Sequence, residues 1–239
     1  MASPGEALSA HVPGVGSGAS PDPLGAGTTP AGIAARGPIG IRVAQLRELA
    51  ERDPERAQNE TWEWFIALGG ARDEESLDEL FTLGVGKPME GSTDGILAAF
   101  LVTPALDNLV MAFCGPGRFT MPWKGKVFEP DTQDGANRFK FWFPFIARLV
   151  WPRYRGHRRD GREHLLFDMT NGVIRDPLDP SHEVWKIEYK DKDLRNPFFI
   201  RDILDCLVEI VPGAHLGRIE YEGKYGFRNL GYFALKPAT

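Results

Sequence analysis

Two lysines, Lys124 and Lys126, stand in a run of strand-forming residues, Met121-Pro122-Trp123-Lys124-Gly125-Lys126-Val127-Phe128. Burial turns lysine from a solvated point charge into a base or an anchor for an anionic group. In a regular strand Trp123, Gly125 and Val127 share one face and Lys124, Lys126 and Phe128 the other. Either lysine can pair with a carboxylate, hold a ligand or act as a base; the plainer alternative is a solvated outer face, against which Phe128 on the same side argues. A glycine inside a strand marks a bulge, a barrel corner or the close approach of a ligand or another backbone. Trp185, Ile187 and Tyr189 form the apolar face of the run Val184 to Tyr189. With Trp123 they make either an aromatic pocket wall or ordinary core packing.

The other chemistry-bearing groups are charged. Arg153, Tyr154, Arg155, His157, Arg158 and Arg159 form a dense cationic segment with an aromatic. It reads as a site for phosphate, a carboxylated substrate or an acidic partner, or as a solvated hairpin punctuated by Gly156 and Gly161. His164 and Asp168, four apart in a strand, share a side but lie about 13 Å apart, so they form no direct hydrogen bond without a bulge. Their surface placement, with Leu165, Phe167 and Met169 inward, is the expectation. Asp202, Asp205 and Glu209 align on the polar face of a helix expected over Phe198 to Ile210. There they are either a carboxylate pair above a cavity or a solvated face beside Arg201. Arg218 and Lys126 are the candidate polar anchors, and His215, after a turn, is expected to be structural.

Several function classes lose their usual support. The chain contains no G-x-x-x-x-G-K-[ST], no G-x-G-x-x-G after a strand, no H-E-x-x-H, no calcium loop and no G-x-S-x-G. Cys114 and Cys206 have no partner at metal-ligand or C-x-x-C spacing, so neither a disulfide framework, a metal nor a cofactor is expected. A net charge of −5 argues against nucleic acid as a partner. No run of about 18 apolar residues offers a membrane span, and no secretory leader is evident, which together lead to an expected cytoplasmic location.

Positioning these groups falls to three segments. Residues 1–38 are rich in Gly, Pro and Ala with few bulky apolar side chains, and composition predicts a disordered tail. Residues 39–90 predict a helical preface packed on a barrel: helices over Arg42 to Arg56, over a segment capped by Asn59 and ending at Gly69-Gly70, and from Asp73 or Glu74 to Gly84. Residues 91–239 change to short strand-like runs between turns, the pattern of an antiparallel barrel or sandwich. The runs are Ile96 to Val102, Trp123 to Glu129, Asn137 to Phe143, His164 to Thr170, Val184 to Tyr189, Ala214 to Tyr221 and Leu230 to Lys236, with helical inserts at Pro104 to Phe113 and Pro144 to Val150.

Four motifs occur in order: Pro122-Trp123-Lys124-Gly125-Lys126-Val127-Phe128, Leu149-Val150-Trp151-Pro152-Arg153-Tyr154-Arg155-Gly156, Pro212-Gly213-Ala214-His215-Leu216-Gly217-Arg218 and Gly231-Tyr232-Phe233-Ala234-Leu235. In this the chain resembles a group of uncharacterised PWxGKxF-containing proteins frequent in actinobacteria, over roughly Leu80 to Pro237. It is distantly similar to the GXWXG-type domain and its C-terminal companion domain of unknown function, whose W-x-G-K-x-F run matches Trp123, Gly125, Lys126 and Phe128, while Met121 stands where that family has its first glycine. The resemblance implies a lipocalin-like antiparallel β-barrel and carries no activity. The expected architecture is mainly β with α+β character. The expected function is binding of a hydrophobic or aromatic small molecule in the barrel, with Trp123, Lys126, Tyr154, Trp185, Tyr189 and Arg218 as ligand-binding residues. The alternative is a cofactor-free cyclase or isomerase acting on a hydrophobic metabolite. A third reading gives residues 1–38 and the helices a partner-docking role.

Overall fold

Nine antiparallel strands organise the protein, seen in a computed structural model that describes residues 37–100 and 121–239. They are β1 Gly91–Phe100, β2 Trp123–Phe128, β3 Asp134–Phe139, β4 Arg158–Asp160, β5 Glu163–Arg175, β6 Glu183–Glu188, β7 Ile203–Val211, β8 Ala214–Gly223 and β9 Gly226–Pro237. The order β3-β2-β1-β9-β8-β7-β6-β5 closes on itself through pairing of β3 with β5. Eight strands thus form a closed barrel, and β4 is a short flap on β5. Closure removes the free edges that make open sheets prone to pairing with other chains.

Three N-terminal helices cover one outer face of the barrel: α1 Pro38–Arg52, α2 Pro54–Ala71 and α3 Glu74–Thr82. The Asp53-Pro54 pair starts α2, with Asp53 accepting the Arg56 N–H and proline in the first turn, where its missing N–H costs nothing. Asn59 therefore lies inside α2 rather than capping it. Asp73 caps α3 by accepting from Ser76. Val43, Leu46, Phe65, Leu77, Leu80 and Phe81 of the helices pack on Val184, Cys206, Val208, Ile210, Leu216, Tyr232 and Ala234 of β6 to β9. Approach is close at Gly69, where an added Cβ would lie 2.0 Å from the Ala98 carbonyl oxygen.

A second core fills part of the barrel interior with Phe128, Leu166, Met169, Trp185, Ile187, Leu207 and Leu235. A further helix, α4 Phe143–Val150, follows β3.

The expected helix over Phe198 to Ile210 is corrected. Only Phe198–Arg201 is helical, and Ile203–Val211 is strand β7, paired with β6 and β8. Its spacing misleads because β7 is covered on both sides, by the α1 to α3 layer outside and by the interior core, so it shows no two-residue alternation. The expected end of a strand at Phe143 is also moved: β3 stops at Phe139 and Phe143 opens α4. Pro104 to Phe113, Cys114 and nearly all of the 1–38 segment lie outside the described residues.

Candidate functional site

One end of the barrel is hollow. The cavity measures about 650 Å³, within the range of sites for drug-sized ligands. Its walls are Leu97, Trp123, Phe139, Phe167, Ile219, Leu230 and Phe233 from the strands and Phe143, Ile146, Val150 and Trp151 from α4 and its end. Phe199, Ile200 and Ile203 complete the rim. Apart from the Trp123 indole N–H, the side-chain polar groups come from Lys126, Asn137, Tyr189 and Asp205.

Those four form one hydrogen-bonded cluster. Lys126 Nζ donates to Asp205 Oδ2 at 2.9 Å, to Asn137 Oδ1 at 2.9 Å and to the Tyr189 hydroxyl oxygen at 2.5 Å. The Tyr189 hydroxyl donates to Asp205 Oδ2 at 2.8 Å, and the Trp123 indole N–H donates to Asn137 Oδ1 at 3.0 Å. Asn137 Nδ2 donates to the Phe167 carbonyl oxygen and the Tyr189 hydroxyl oxygen. All three ammonium protons of Lys126 are therefore engaged. Lys126 is 2 % exposed, and burial pushes its pKa down while the Asp205 carboxylate pulls it back up. Tyr189 is held well above the ordinary phenol range by burial first and by Asp205 second. The ammonium also lies 5.3 Å from the centres of the Tyr189 and Phe233 rings and 5.6 Å from that of Trp123, within cation–π range. An ion pair, two neutral hydrogen-bonding groups and three aromatic faces leave a polar spot with no net charge in an apolar wall.

A bulge builds this arrangement. The β2–β3 register shifts between Trp123 and Gly125, and Gly125 has φ +144°, a conformation that side-chain-bearing residues rarely adopt. A Cβ at Gly125 would also fall 2.0 Å from the Thr93 carbonyl oxygen. The extra residue brings Trp123 onto the same side as Lys126, whereas regular alternation would oppose them. Lys124, by contrast, points to Glu163 at 2.7 Å. Lys126 N–H is satisfied by Thr93 Oγ1, whose hydroxyl donates to the Lys126 carbonyl, so a side chain replaces the ladder where β1 and β2 part.

A second bulge shapes the mouth. Phe167 has φ +56° and interrupts the β3–β5 register, and the Tyr154 hydroxyl oxygen accepts its N–H at 2.6 Å. Burial raises the Tyr154 pKa to about 12, so the hydroxyl keeps its proton. Around the Phe167 ring sit Phe139, Phe143, Trp151 and Tyr154, with centroid distances of 5.3 to 6.5 Å. Bulging at Phe167 also breaks the alternation expected for Leu165, Phe167 and Met169: Leu166, not Leu165, joins the interior core.

Of the six residues expected to bind ligand, Trp123, Lys126 and Tyr189 meet at the cavity. Tyr154 supports Phe167 from behind. Trp185 lies four residues along β6 from Tyr189, about 13 Å toward the filled end of the barrel. Arg218 is outside the barrel wall, where its guanidinium binds Asp176 and Glu220 under Phe81 of α3. Burial raises the Glu220 pKa to about 7 against the pull of Arg218. Asp176, Cys206 and Glu220 have ligand atoms within 4.8 Å of one another, but Arg218 already supplies the balancing positive charge there.

Asp205 reaches the cavity, as one of its two readings expects, but from strand β7 rather than from a helix, and Asn137 carries no signal in the sequence beyond lying in a strand. His164 stacks on His157, and Asp168 pairs with Arg158 at 2.7 Å, both on the outer side. Asp202 and Glu209 are far from Asp205 in role: Glu209 pairs with Lys87 and Asp202 accepts from Tyr221. No helix among the described residues is long and apolar enough to cross a membrane.

No protein-family model matches the chain, and no curated protein matches it. Among solved structures, it is similar to a protein from Thermomonospora curvata, at 14 % identity and a TM-score of 0.40, over 75 % of this chain and 97 % of that one.

Proposed function

We propose that the barrel binds a hydrophobic or aromatic small molecule in the cavity at its open end. The carrying observation is a void of about 650 Å³ whose walls are apolar or aromatic except for one charge-compensated cluster. That cluster also narrows the ligand. Asp205 already neutralises Lys126, so a carboxylate or phosphate headgroup would have to compete with Asp205 in a site with little water. A neutral molecule with one hydrogen-bond donor, such as a hydroxyl, fits without that penalty, because the donors of the cluster are engaged within it while the Asp205 carboxylate retains capacity to accept. Trp123, Lys126 and Tyr189 then frame its polar end, and Phe139, Phe143, Phe167 and Phe233 its body.

Native mass spectrometry of the purified protein, with organic extraction of what travels with it, tests this reading. A co-purified neutral apolar molecule, or uptake of a hydrophobic dye that quenches tryptophan emission, is the expected result. No uptake of any apolar probe would sink it.

One observation favours a second reading, cofactor-free isomerisation or cyclisation. Lys126, Tyr189 and Asp205 form a buried chain of proton donors and acceptors on the cavity wall, the arrangement that acid–base work on a bound hydrophobic metabolite needs. Incubating the extracted molecule with wild type and with Lys126→Met separates the two: a binder returns it unchanged in both cases, and an enzyme converts it only in the first.

A further inference from the structure

The helix that lids the cavity is apolar on both sides. Phe143, Ile146 and Val150 of α4 face the cavity, while Phe145 and Leu149 point to solvent at 75 % and 78 % exposure. Phe141, just before the helix, and Phe198, on the neighbouring rim turn, are exposed to the same degree, at 71 % and 79 %. Phe145 and Leu149, four apart in α4, form one ridge, and Phe141 lies in the turn just before it. Large apolar side chains gathered at one place on a surface mark an interaction site.

What surrounds the ridge is cationic. Residues 140–162 hold seven lysines and arginines against one aspartate, a local charge of +6 in a chain whose net charge is −5. Arg148, Arg153, Arg159 and Arg162 are exposed and have no carboxylate at ion-pair distance among the described residues. The cluster is spatial as well as sequential, because Arg148 of α4 and Arg159 of β4 both act on His157 and lower its pKa, after the larger effect of burial.

We infer that α4 and its flanking arginines dock on an anionic lipid surface, with the apolar ridge in the interfacial layer and the cavity mouth turned toward the bilayer. Two features select this occupant. A second copy would bring one +6 face against another in a symmetric contact, which repulsion opposes. The apolar side chains protrude rather than line a groove, so they suit insertion among headgroups, and arginines beside such a ridge add attraction to anionic lipid. An apolar ligand could then pass between the acyl layer and the cavity without crossing water. The docking stands on the surface alone and is independent of what the cavity holds.

The test is sedimentation of the full chain with phosphatidylcholine vesicles, with and without phosphatidylglycerol, at low and high salt. Wild type is expected to sediment with the anionic vesicles and to be released by salt. Phe145→Asp/Leu149→Asp is expected to abolish binding, and Arg148→Glu/Arg153→Glu to weaken it by at least about tenfold. All four positions are exposed, and unchanged melting temperatures confirm that the variants fold. Wild type left in the supernatant with anionic vesicles would overturn the inference, as would charge-reversed protein that binds like wild type. So would gel filtration showing a dimer that Phe145→Asp converts to monomer, since the face would then join two copies. Dye uptake by Phe145→Asp/Leu149→Asp is expected to match wild type. Vesicle binding without any dye uptake in wild type would overturn the cavity reading and leave the docking standing.

Discussion

Replacing Lys126 by Met isolates the physics of the cavity wall. The substitution keeps most of the side chain's volume and removes three hydrogen bonds, to Asp205, Asn137 and Tyr189. Asn137 Oδ1 still accepts from Trp123, but Asp205, 4 % exposed, is left with Tyr189 as its remaining donor in the cluster. Removing one partner of a buried ion pair costs about 3–5 kcal/mol, because the other charge stays in the low-dielectric interior uncompensated. For a body of about 200 residues that corresponds to a fall of roughly 6–20 °C in melting temperature. Burial opposes the ammonium and Asp205 favours it, and apolar residues of similar volume often replace a buried ion pair at little cost. Removing both charges should therefore recover most of the loss: Lys126→Met/Asp205→Leu is expected within about 1 kcal/mol of wild type. Asp205→Leu alone should cost a similar amount, since it strands the buried ammonium as Lys126→Met strands the carboxylate. Urea unfolding of the four proteins, followed by circular dichroism, gives the cycle. A Lys126→Met cost below about 1 kcal/mol, or single costs that simply add in the double variant, would refute the claim that these charges depend on each other.

Other perturbations test separate parts of the structure. Gly125→Ala forces a Cβ into the Thr93 carbonyl at a positive-φ bulge and should destabilise by about 3 kcal/mol or more, read by urea unfolding. Leu97→Trp projects into the cavity and should abolish dye uptake in a fluorescence titration while costing less than about 2 kcal/mol, because it fills space rather than overpacks. His215 is 3 % exposed and burial pushes its pKa from 6.5 down to about 4, so folding favours the neutral ring. The associated stability is complete above pH 6.5 and falls as pH drops toward 4, by about 2 kcal/mol at pH 5. His215→Leu should flatten that part of the stability profile between pH 7 and 5, measured by thermal unfolding at each pH.

The barrel was legible because most strands alternate or are bounded by turn residues, and the helical layer because Leu77, Leu80 and Phe81 recur at helical spacing. The site was legible only in part. Trp123 and Tyr189 stood out as aromatics, but their meeting with Lys126 depends on one extra residue at Lys124-Gly125, and a bulge leaves little trace beyond its glycine. Asp205 was obscured by the double coverage of β7: with Leu204 and Cys206 under the helices and Leu207 inside, apolar residues fall on both faces and mimic a helix. Arg218 was misassigned because a short stretch of sequence does not say which side of a barrel wall is covered. Here the outer side is as buried as the inner one, and a cation between Asp176 and Glu220 is stable there.

The pairing that joins β1 to β9 has a consequence for how the chain is made. The seam brings residues 93–100 against 231–237, 131 to 144 positions apart in sequence. Synthesis runs from the N-terminus, so α1 to α3 emerge long before Tyr232 and Ala234, on which they pack, exist. Until β9 leaves the ribosome, the surface on which the helices pack lacks Tyr232 and Ala234, and β1 has only β2 beside it. Closure must wait until β9 has been made, with the slow kinetics of long-range strand pairing, and without β9 the barrel cannot shut.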